Sequence, residues 1–269
     1  MSLWEGIILG VIQGLTEFLP VSSSGHLVIA QSFMKGFRQP GVFFDVMLHF
    51  GTLLAVIFFL RRDLYEIIKA ILPKQPDSAD YASISIRRKT AVLIVVGTMF
   101  TCIIGFAIKD KVHILFESVN VIAFMLMVTG FLLFLSDKIK DTERFEKDMN
   151  ITDSIIIGIV QGIALVPGIS RSGSTIAFGI FRKLDRETAA RFSFLLSIPA
   201  VTGAVVLESR HIVSVPSSDF IIYMAGTIAA LLTGFLSLKI LFLIIKKRGL
   251  GIFAYYCWFV GIATLLFNV

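Results

Sequence analysis

The sequence is poor in charged residues. Asp, Glu, Lys and Arg make up 16% of its 269 residues, whereas about 25% is usual for a soluble domain. Hydrophobic residues make up 56%, and the mean hydropathy is +0.86. So little charge cannot cover a water-facing surface, which argues against both a soluble globular enzyme and a disordered chain. The composition therefore predicts a membrane protein.

Cysteine is also scarce. Cys102 and Cys257 both lie in apolar runs, with no second cysteine or histidine at the spacing of metal ligands. We therefore expect neither a disulfide nor a zinc site. The first apolar stretch contains Glu5 and has no basic residues before it, so we expect it to stay in the mature protein and not to be removed as a signal peptide.

The basic residues are dispersed. The net charge is +6, but the lysines and arginines form no basic, aromatic-interleaved face of the kind that binds nucleic acid. Of the 25 lysines and arginines, 18 lie in segments 61–89, 138–147, 182–191 and 246–248. The loops on the other side hold five, which are Lys35, Arg38, Lys109, Lys111 and Arg210. Because basic loops stay in the cytoplasm, the richer side is predicted to be cytoplasmic and both termini extracytoplasmic.

Six apolar runs are long enough to cross a bilayer, namely residues 42–60, 90–108, 118–136, 192–207, 220–245 and 250–267. Two further apolar stretches, 3–34 and 151–181, are interrupted by Pro20 and Pro167 and by short runs rich in serine and glycine. Irregular backbone at membrane depth is tolerated only where it is buried in protein or lines a cavity. The pattern predicts an all-α polytopic membrane protein with six transmembrane helices and two re-entrant helical hairpins.

The two interrupted stretches repeat one another at an offset of 148 residues. Gln13-Gly14 corresponds to Gln161-Gly162, and Ser22-Ser23-Ser24-Gly25 corresponds to Ser170-Arg171-Ser172-Gly173. The predicted topology brings the first hairpin in from outside and the second from the cytoplasm. We therefore predict one membrane domain over residues 1–269, built as an inverted-topology repeat of residues 1–136 and 151–269.

The first hairpin carries ionisable groups that are costly inside a membrane and are therefore functional candidates. Gln13 and Glu17 are four residues apart and share one face of a helix. They are followed by side chains that can serve as nucleophiles or bases, namely Ser22, Ser23, Ser24 and His26. In the next span, Asp45 and His49 are compatible with contact to the site or with packing at its rim.

The second hairpin is suited to an anion. Arg171 offers a guanidinium fork that matches phosphate, and a half-helix beginning there would aim free N–H groups at the loop. Hydroxyls flank the arginine at Ser170, Ser172 and Thr175. Because inverted hairpins meet near the midplane, the two hairpins together would supply what phosphoryl transfer requires, namely cations on the phosphate oxygens, a nucleophile and a group that handles protons.

The motifs Gln13–His26 (QGLTEFLPVSSSGH) and Pro167–Thr175 (PGISRSGST) resemble the two signatures of the undecaprenyl-diphosphate phosphatases, the bacitracin-resistance family of integral membrane enzymes. The resemblance covers nearly the whole chain. The family uses Glu or Gln at the position of Gln13, whereas Ser24 stands where many members have threonine. The resemblance implies hydrolysis of undecaprenyl diphosphate to undecaprenyl phosphate and inorganic phosphate in the plasma membrane, which recycles the carrier for cell-wall synthesis.

The resemblance also implies roles for residues. Glu17 and His26 would be catalytic, Arg171 would hold the diphosphate, and the hydroxyls of Ser23, Ser170 and Thr175 would contact or attack phosphate, with Ser22, Ser24 and Ser172 as further substrate-binding candidates. A divalent cation, Mg or Ca, would bind with the substrate phosphates, helped by Gln13 and Glu17. Bacitracin would compete by sequestering the substrate, and a homodimer is a further expectation.

Two questions stay open at the level of sequence. The reaction could pass through a phosphoenzyme at Ser23 or His26, or through water activated by His26 or Glu17, and we favour Ser23 with His26 nearby as its base. The alternative function is a lipid-phosphate flippase or secondary transporter, since inverted repeats with broken helices are typical of transporters. A carrier has no evident need for Glu17, His26 and Ser23 to converge.

Overall fold

A computed structural model describes residues 1–34, 42–72, 81–116, 118–208, 217–247 and 249–267. These residues form helices and contain no β-strand. In chain order the helices are α1 (Leu3–Phe18), α2 (Ser23–Phe33), α3 (Val42–Phe59), α4 (Arg61–Ile71), α5 (Tyr81–Phe116), α6 (Val119–Asp137), α7 (Ile151–Ile163), α8 (Arg171–Phe181), α9 (Arg186–Glu208), α10 (Ser217–Lys247) and α11 (Gly251–Leu266). The prediction of an all-α chain is confirmed.

Both interrupted stretches form two short helices joined by a turn. The first break lies between α1 and α2 around Pro20, and the second lies between α7 and α8 around Pro167 and Gly168. Proline has no N–H to donate and disfavours helical backbone in the residue before it. Gly168 adopts a φ of +90°, a conformation that side chains with a Cβ rarely adopt.

Within the described ranges, four helices are long and apolar enough to cross a membrane, and they lie within α5, α6, α9 and α10. A fifth candidate is α3 joined to α4, which are bent by 73° at the break between them. The predicted run 250–267 forms α11, whose 16 residues make a shorter apolar helix. Four to five candidate spans therefore support a multi-pass membrane protein.

The two halves of the chain pack in a reciprocal way. Helix α1 packs against α10, where a Cβ on Gly10 would come within 2.2 Å of the Gly226 carbonyl oxygen. Helix α7 packs against α5, where a Cβ on Gly158 would come within 2.3 Å of the Gly97 carbonyl oxygen. Gly10 and Gly158 are 148 residues apart, so corresponding glycines permit the closest backbone approach in each half.

The first helix of each half begins with the same capping motif, at the same offset of 148 residues. Ser2 and Glu5 form a capping box at the start of α1, and Asn150 and Asp153 form one at the start of α7. In each box the first residue accepts a hydrogen bond from the backbone of the fourth, whose carboxylate accepts one in return. The buried Asp153 carboxylate also binds Arg144 and Arg182, which ties the segment between the halves to α7 and α8. Its hydrogen bonds raise the pKa of Arg144.

Several residues of the predicted topology lie outside the described residues. They are Lys35, Arg38, Lys74, Arg210 and Arg248.

Both cysteines are free thiols; Cys257 is buried and Cys102 is exposed.

Candidate active site

Glu17, in the last turn of α1, lies at the centre of the site. It is 7% exposed. Its Oε2 accepts hydrogen bonds from the Ser23 hydroxyl at 2.6 Å and from Gln13 Nε2 at 3.0 Å. The spacing of Gln13 and Glu17 by one helical turn places both on one face, as the sequence predicts. A buried carboxylate needs such partners, because desolvation otherwise costs several kcal/mol.

Arg171 joins the two halves of the chain. It is the first residue of α8, and its Nη2 donates a hydrogen bond to Oε1 of Glu17, 154 positions away. One oxygen of the Glu17 carboxylate therefore accepts a hydrogen bond from the Arg171 guanidinium, and the other accepts one from the nucleophile candidate Ser23. The guanidinium has five N–H donors, so Arg171 can contact a phosphate while it still holds Glu17.

The N-termini of α2 and α8 converge on the same place. Each helix is capped by a serine, since Ser22 accepts from Gly25 N at 3.4 Å and Ser170 accepts from Gly173 N at 3.1 Å. Ser23 and Arg171 each occupy the first helical position. The positive ends of two helix dipoles, with their free N–H groups, therefore face one site, an arrangement suited to an anion.

A cavity of about 250 Å³ joins these elements. Its polar lining comes from both hairpins and from two neighbouring helices, α3 and α5: Glu17, Ser22, Ser23, Ser24, His49, Thr101, Gln161, Ser170 and Arg171. Its apolar lining includes Leu165, Ile169, Ala200 and Ala204. Of the sequence-predicted residues, the structure thus brings together Glu17, Ser22, Ser23, Ser24, Ser170 and Arg171.

Three predicted substrate-binding residues lie behind this lining. Gln13 is fully buried and contacts Glu17. Ser172 donates to the Leu19 carbonyl at 3.4 Å, and Thr175 donates to the Arg171 carbonyl at 2.8 Å. The side chains of Ser172 and Thr175 therefore hold the first turn of α8 in place and do not line the cavity.

Among the described residues, the His26 ring forms hydrogen bonds with groups other than the Ser23 hydroxyl. It is absent from the cavity lining, and its Nδ1 is 2.8 Å from the Ser22 carbonyl oxygen. Because a carbonyl only accepts, Nδ1 carries the proton, and Nε2 accepts from the Tyr256 hydroxyl at 2.9 Å. The two rings also stack, with centroids 5.6 Å apart. The group that accepts from Ser23 is Glu17, and His26 instead holds Ser22, whose φ of 69° lies in the left-handed region.

Three cavity residues were missed or left open by the sequence reasoning. His49 Nδ1 lies 3.0 Å from Gln13 Nε2 and 3.6 Å from Glu17 Oε2. Gln161 donates to Thr101 Oγ1 at 3.2 Å and to the Leu196 carbonyl at 3.4 Å. The repeat offset could have indicated Gln161, since it corresponds to Gln13. No sequence signal marked Thr101.

A metal cage made of protein ligands alone is not present among the described residues, which contain no group of three or more His, Cys, Asp or Glu side chains able to hold an ion. One feature does suit a hard cation. Gln13 Oε1 is buried beside Glu17 and has no hydrogen-bond partner within the described part of the chain. An amide oxygen and a carboxylate fit Mg or Ca provided that phosphate oxygens complete the shell.

Comparison with known proteins identifies the family of this chain. The family described as Bacitracin resistance protein BacA matches residues 6–263. Similar curated proteins are each named Undecaprenyl-diphosphatase. The one from Syntrophotalea carbinolica is 42% identical over 97% of both chains. The one from Alkaliphilus metalliredigens is 41% identical over 100% of both chains. The one from Methanosphaera stadtmanae is 41% identical over 100% of this chain and 99% of the other. A family match over nearly the whole length and identities of this size mean that the chain belongs to the BacA family of bacitracin resistance proteins.

Proposed function

We propose that this protein hydrolyses undecaprenyl diphosphate to undecaprenyl phosphate and inorganic phosphate, which recycles the lipid carrier for cell-wall synthesis and confers bacitracin resistance. The relatives' name supports this activity. The observation that carries it is the buried Glu17 carboxylate, held between the Ser23 hydroxyl and Arg171 where two helix N-termini meet. A flippase needs phosphate binding but not a hydroxyl poised on a carboxylate.

The diphosphate would bind between α2 and α8. Arg171 and the N–H groups of α8 would neutralise phosphate oxygens, while the N-terminus of α2 presents Ser23 to the terminal phosphorus. The hydroxyls of Ser22, Ser24 and Ser170 line the same cavity and can donate further hydrogen bonds. Ser172 and Thr175 would act as positioning residues, because they hold the turn that carries Arg171.

Two chemical steps follow from this geometry. Ser23 Oγ forms a bond to the terminal phosphorus as the bond to the bridging oxygen breaks, Glu17 takes the hydroxyl proton, and undecaprenyl phosphate leaves. Water then attacks the phosphoserine. As the water oxygen bonds to phosphorus and the bond from phosphorus to Ser23 Oγ breaks, Glu17 returns its proton to Ser23 Oγ and takes one proton from the water. Phosphate then leaves, and Glu17 releases the extra proton to solvent, which restores the carboxylate. His26 as nucleophile is less well supported, because its unprotonated nitrogen faces Tyr256.

A divalent cation, Mg or Ca, is proposed to bind together with the substrate phosphates, with Gln13 Oε1 and Glu17 as its protein ligands. Such an ion would neutralise charge on the phosphate oxygens. Gln13 Nε2 already donates to Glu17, and a carboxylate only accepts, so the orientation of the amide is set and its free oxygen is available.

Phosphate release by the purified protein in detergent is expected to depend on this cation. Chelation should lower the release from farnesyl diphosphate at least about tenfold, and added Mg should restore it. Gln13→Leu should raise the Mg concentration for half-maximal activity about tenfold. The matched control is Gln161→Leu, the corresponding residue of the second half. Release that persists under chelation would contradict the cation, and no release with any cation would contradict the function.

We further propose six transmembrane helices and two re-entrant hairpins in an inverted repeat of residues 1–136 and 151–269. Reciprocal packing of α1 on α10 and of α7 on α5 supports it, as do capping boxes 148 residues apart. We infer a location in the plasma membrane with both termini extracytoplasmic and the phosphate site opening to that side, because the loops rich in lysine and arginine would then be cytoplasmic. The homodimer and the sequestering of substrate by bacitracin stay predictions.

Labelling of single cysteines in sealed cells tests this topology. In a Cys102→Ser background, an impermeant thiol reagent should modify Ser2→Cys and Phe267→Cys, because both positions are exposed near the termini. It should not modify Lys140→Cys, which is exposed in the segment between the repeats, until the cells are opened. Labelling of Lys140→Cys in intact cells with protection of the termini would reverse the orientation.

A further inference from the structure

The cavity is polar at its closed end and apolar at its mouth. Glu17 and Ser23 lie at the closed end and are 7% and 9% exposed. Leu165 and Ala204 also line the cavity but are exposed, Leu165 by 48%. Residues that both line a cavity and reach the surface mark its opening. An opening into water is normally bordered by polar side chains, so this apolar mouth indicates a different medium.

Helix α9 is built differently on the two sides of Pro199. Before the proline, Phe194 and Leu196 are fully buried in the core. After it, the helix presents small and β-branched side chains to the cavity, namely Ala200, Val201, Ala204 and Val205. This second half lies in the candidate membrane span Arg186–Leu207. The wall of the mouth is therefore apolar, shallow and at membrane depth.

The volume limits what can enter. The cavity measures about 250 Å³, close to the lower end of the roughly 300–1,000 Å³ of pockets that hold drug-sized ligands. If the proposed function holds, a diphosphate fills the polar end and leaves room for only the first carbons of the isoprenoid chain. The remaining chain must pass through the mouth, and burying it against apolar walls and lipid is favourable.

We propose that Leu165 and the Ala200–Val205 face of α9 form a binding subsite for the first isoprene units of a polyisoprenyl diphosphate. In the proposed topology the mouth opens sideways into the extracytoplasmic half of the bilayer, so the headgroup enters the site while the tail stays in lipid. This subsite makes the chain selective for lipid diphosphates over soluble ones. The inference rests on the proposed function and adds to it the path of the tail.

Bulk added at the mouth tests the subsite. Ala204→Trp should raise KM for farnesyl diphosphate at least about tenfold, the effect of lost apolar contacts in such a pocket. It should leave kcat, and the KM for methyl diphosphate, which has no isoprene unit, within about twofold of the wild type. The matched control is Gly203→Trp, because a Cβ on Gly203 meets nothing within 4 Å. This variant adds the same bulk one residue away and should change neither substrate.

The outcomes separate the two proposals. Wild-type protein that releases phosphate from neither substrate would overturn the proposed function. Wild-type activity with an unchanged farnesyl KM in Ala204→Trp, or an equal rise for both substrates, would overturn the subsite alone. If the variant fails to fold, a labelling experiment on the wild-type protein still tests the subsite. A farnesyl diphosphate analogue with a diazirine on its first isoprene unit should label the peptide that contains residues 200–205, and labelling only at other helices would refute the path.

Discussion

Ser23→Ala is expected to lower kcat for isoprenyl diphosphate hydrolysis by at least about 10³-fold. The Ser23 hydroxyl is the one that donates to Glu17, at 2.6 Å, and it stands at the first position of α2. Removing it deletes the nucleophile and leaves the helix N-terminus, Arg171 and the carboxylate in place. Single-turnover experiments with substrate labelled in its terminal phosphate, quenched in acid, should trap labelled protein for the wild type and none for the variant.

Ser24→Ala is the matched control for this experiment. Ser24 lines the same cavity, but its hydroxyl lies 3.3 Å from that of Ser22, and among the described residues it is Ser23 whose hydroxyl donates to Glu17. We expect its kcat to fall less than about tenfold, as for loss of one binding hydrogen bond. If Ser23→Ala stays within tenfold of the wild type, or if labelled protein persists in it, the attacking group is water or another residue.

The double variant Glu17→Ala, Arg171→Ala is expected to abolish measurable phosphate release. In the proposed mechanism Glu17 accepts the proton, a contribution of about 10²–10⁴-fold, and Arg171 supplies the positive charge that binds phosphate. Lysine should not replace Arg171, because it offers a point charge and not a planar fork. Undiminished release from the double variant would remove both residues from the site.

The single variants Glu17→Ala and Arg171→Ala should be less stable than the double variant. Each single replacement leaves one charge of the pair without its partner, at a cost of up to about 3 kcal/mol, whereas the double variant removes both charges. The singles should therefore unfold at lower temperatures in detergent than the double. The controls are conservative replacements outside the cavity: Glu5→Gln, which can keep the capping box of α1, and Arg182→Lys at the far end of α8, which keeps a positive charge beside Asp153. Singles as stable as the double would mean that the pair is solvated.

Local features of the fold could be predicted from the sequence. Pro20 and Pro167 mark both helix breaks, because proline acts on the backbone of its immediate neighbours. The shared face of Gln13 and Glu17 follows from helical spacing. The serines before α2 and α8 cap them, since a cap depends on residues three positions apart. Each of these conclusions needs only short-range geometry.

The environment of His26 shows where such reasoning stops. Helical spacing brings His26 near Ser23 in the chain, but it does not determine which group each side chain contacts. The ring turns back to the Ser22 carbonyl and meets Tyr256, 230 residues away. His49 and Thr101 reach the cavity only because α3 and α5 pack against the hairpins. The spacing of residues along the chain therefore cannot predict these contacts.

The sequence by itself determined that this chain is an α-helical membrane protein with two broken helices and a phosphate-binding character, because hydropathy, proline and charge act locally. The tertiary structure decided that Glu17, and not His26, accepts from Ser23, that Arg171 closes the site from the other half, and that the cavity opens at an apolar mouth. These outcomes depend on how helices distant in the chain pack together, since a buried charge takes whichever partner the packing places within hydrogen-bond distance.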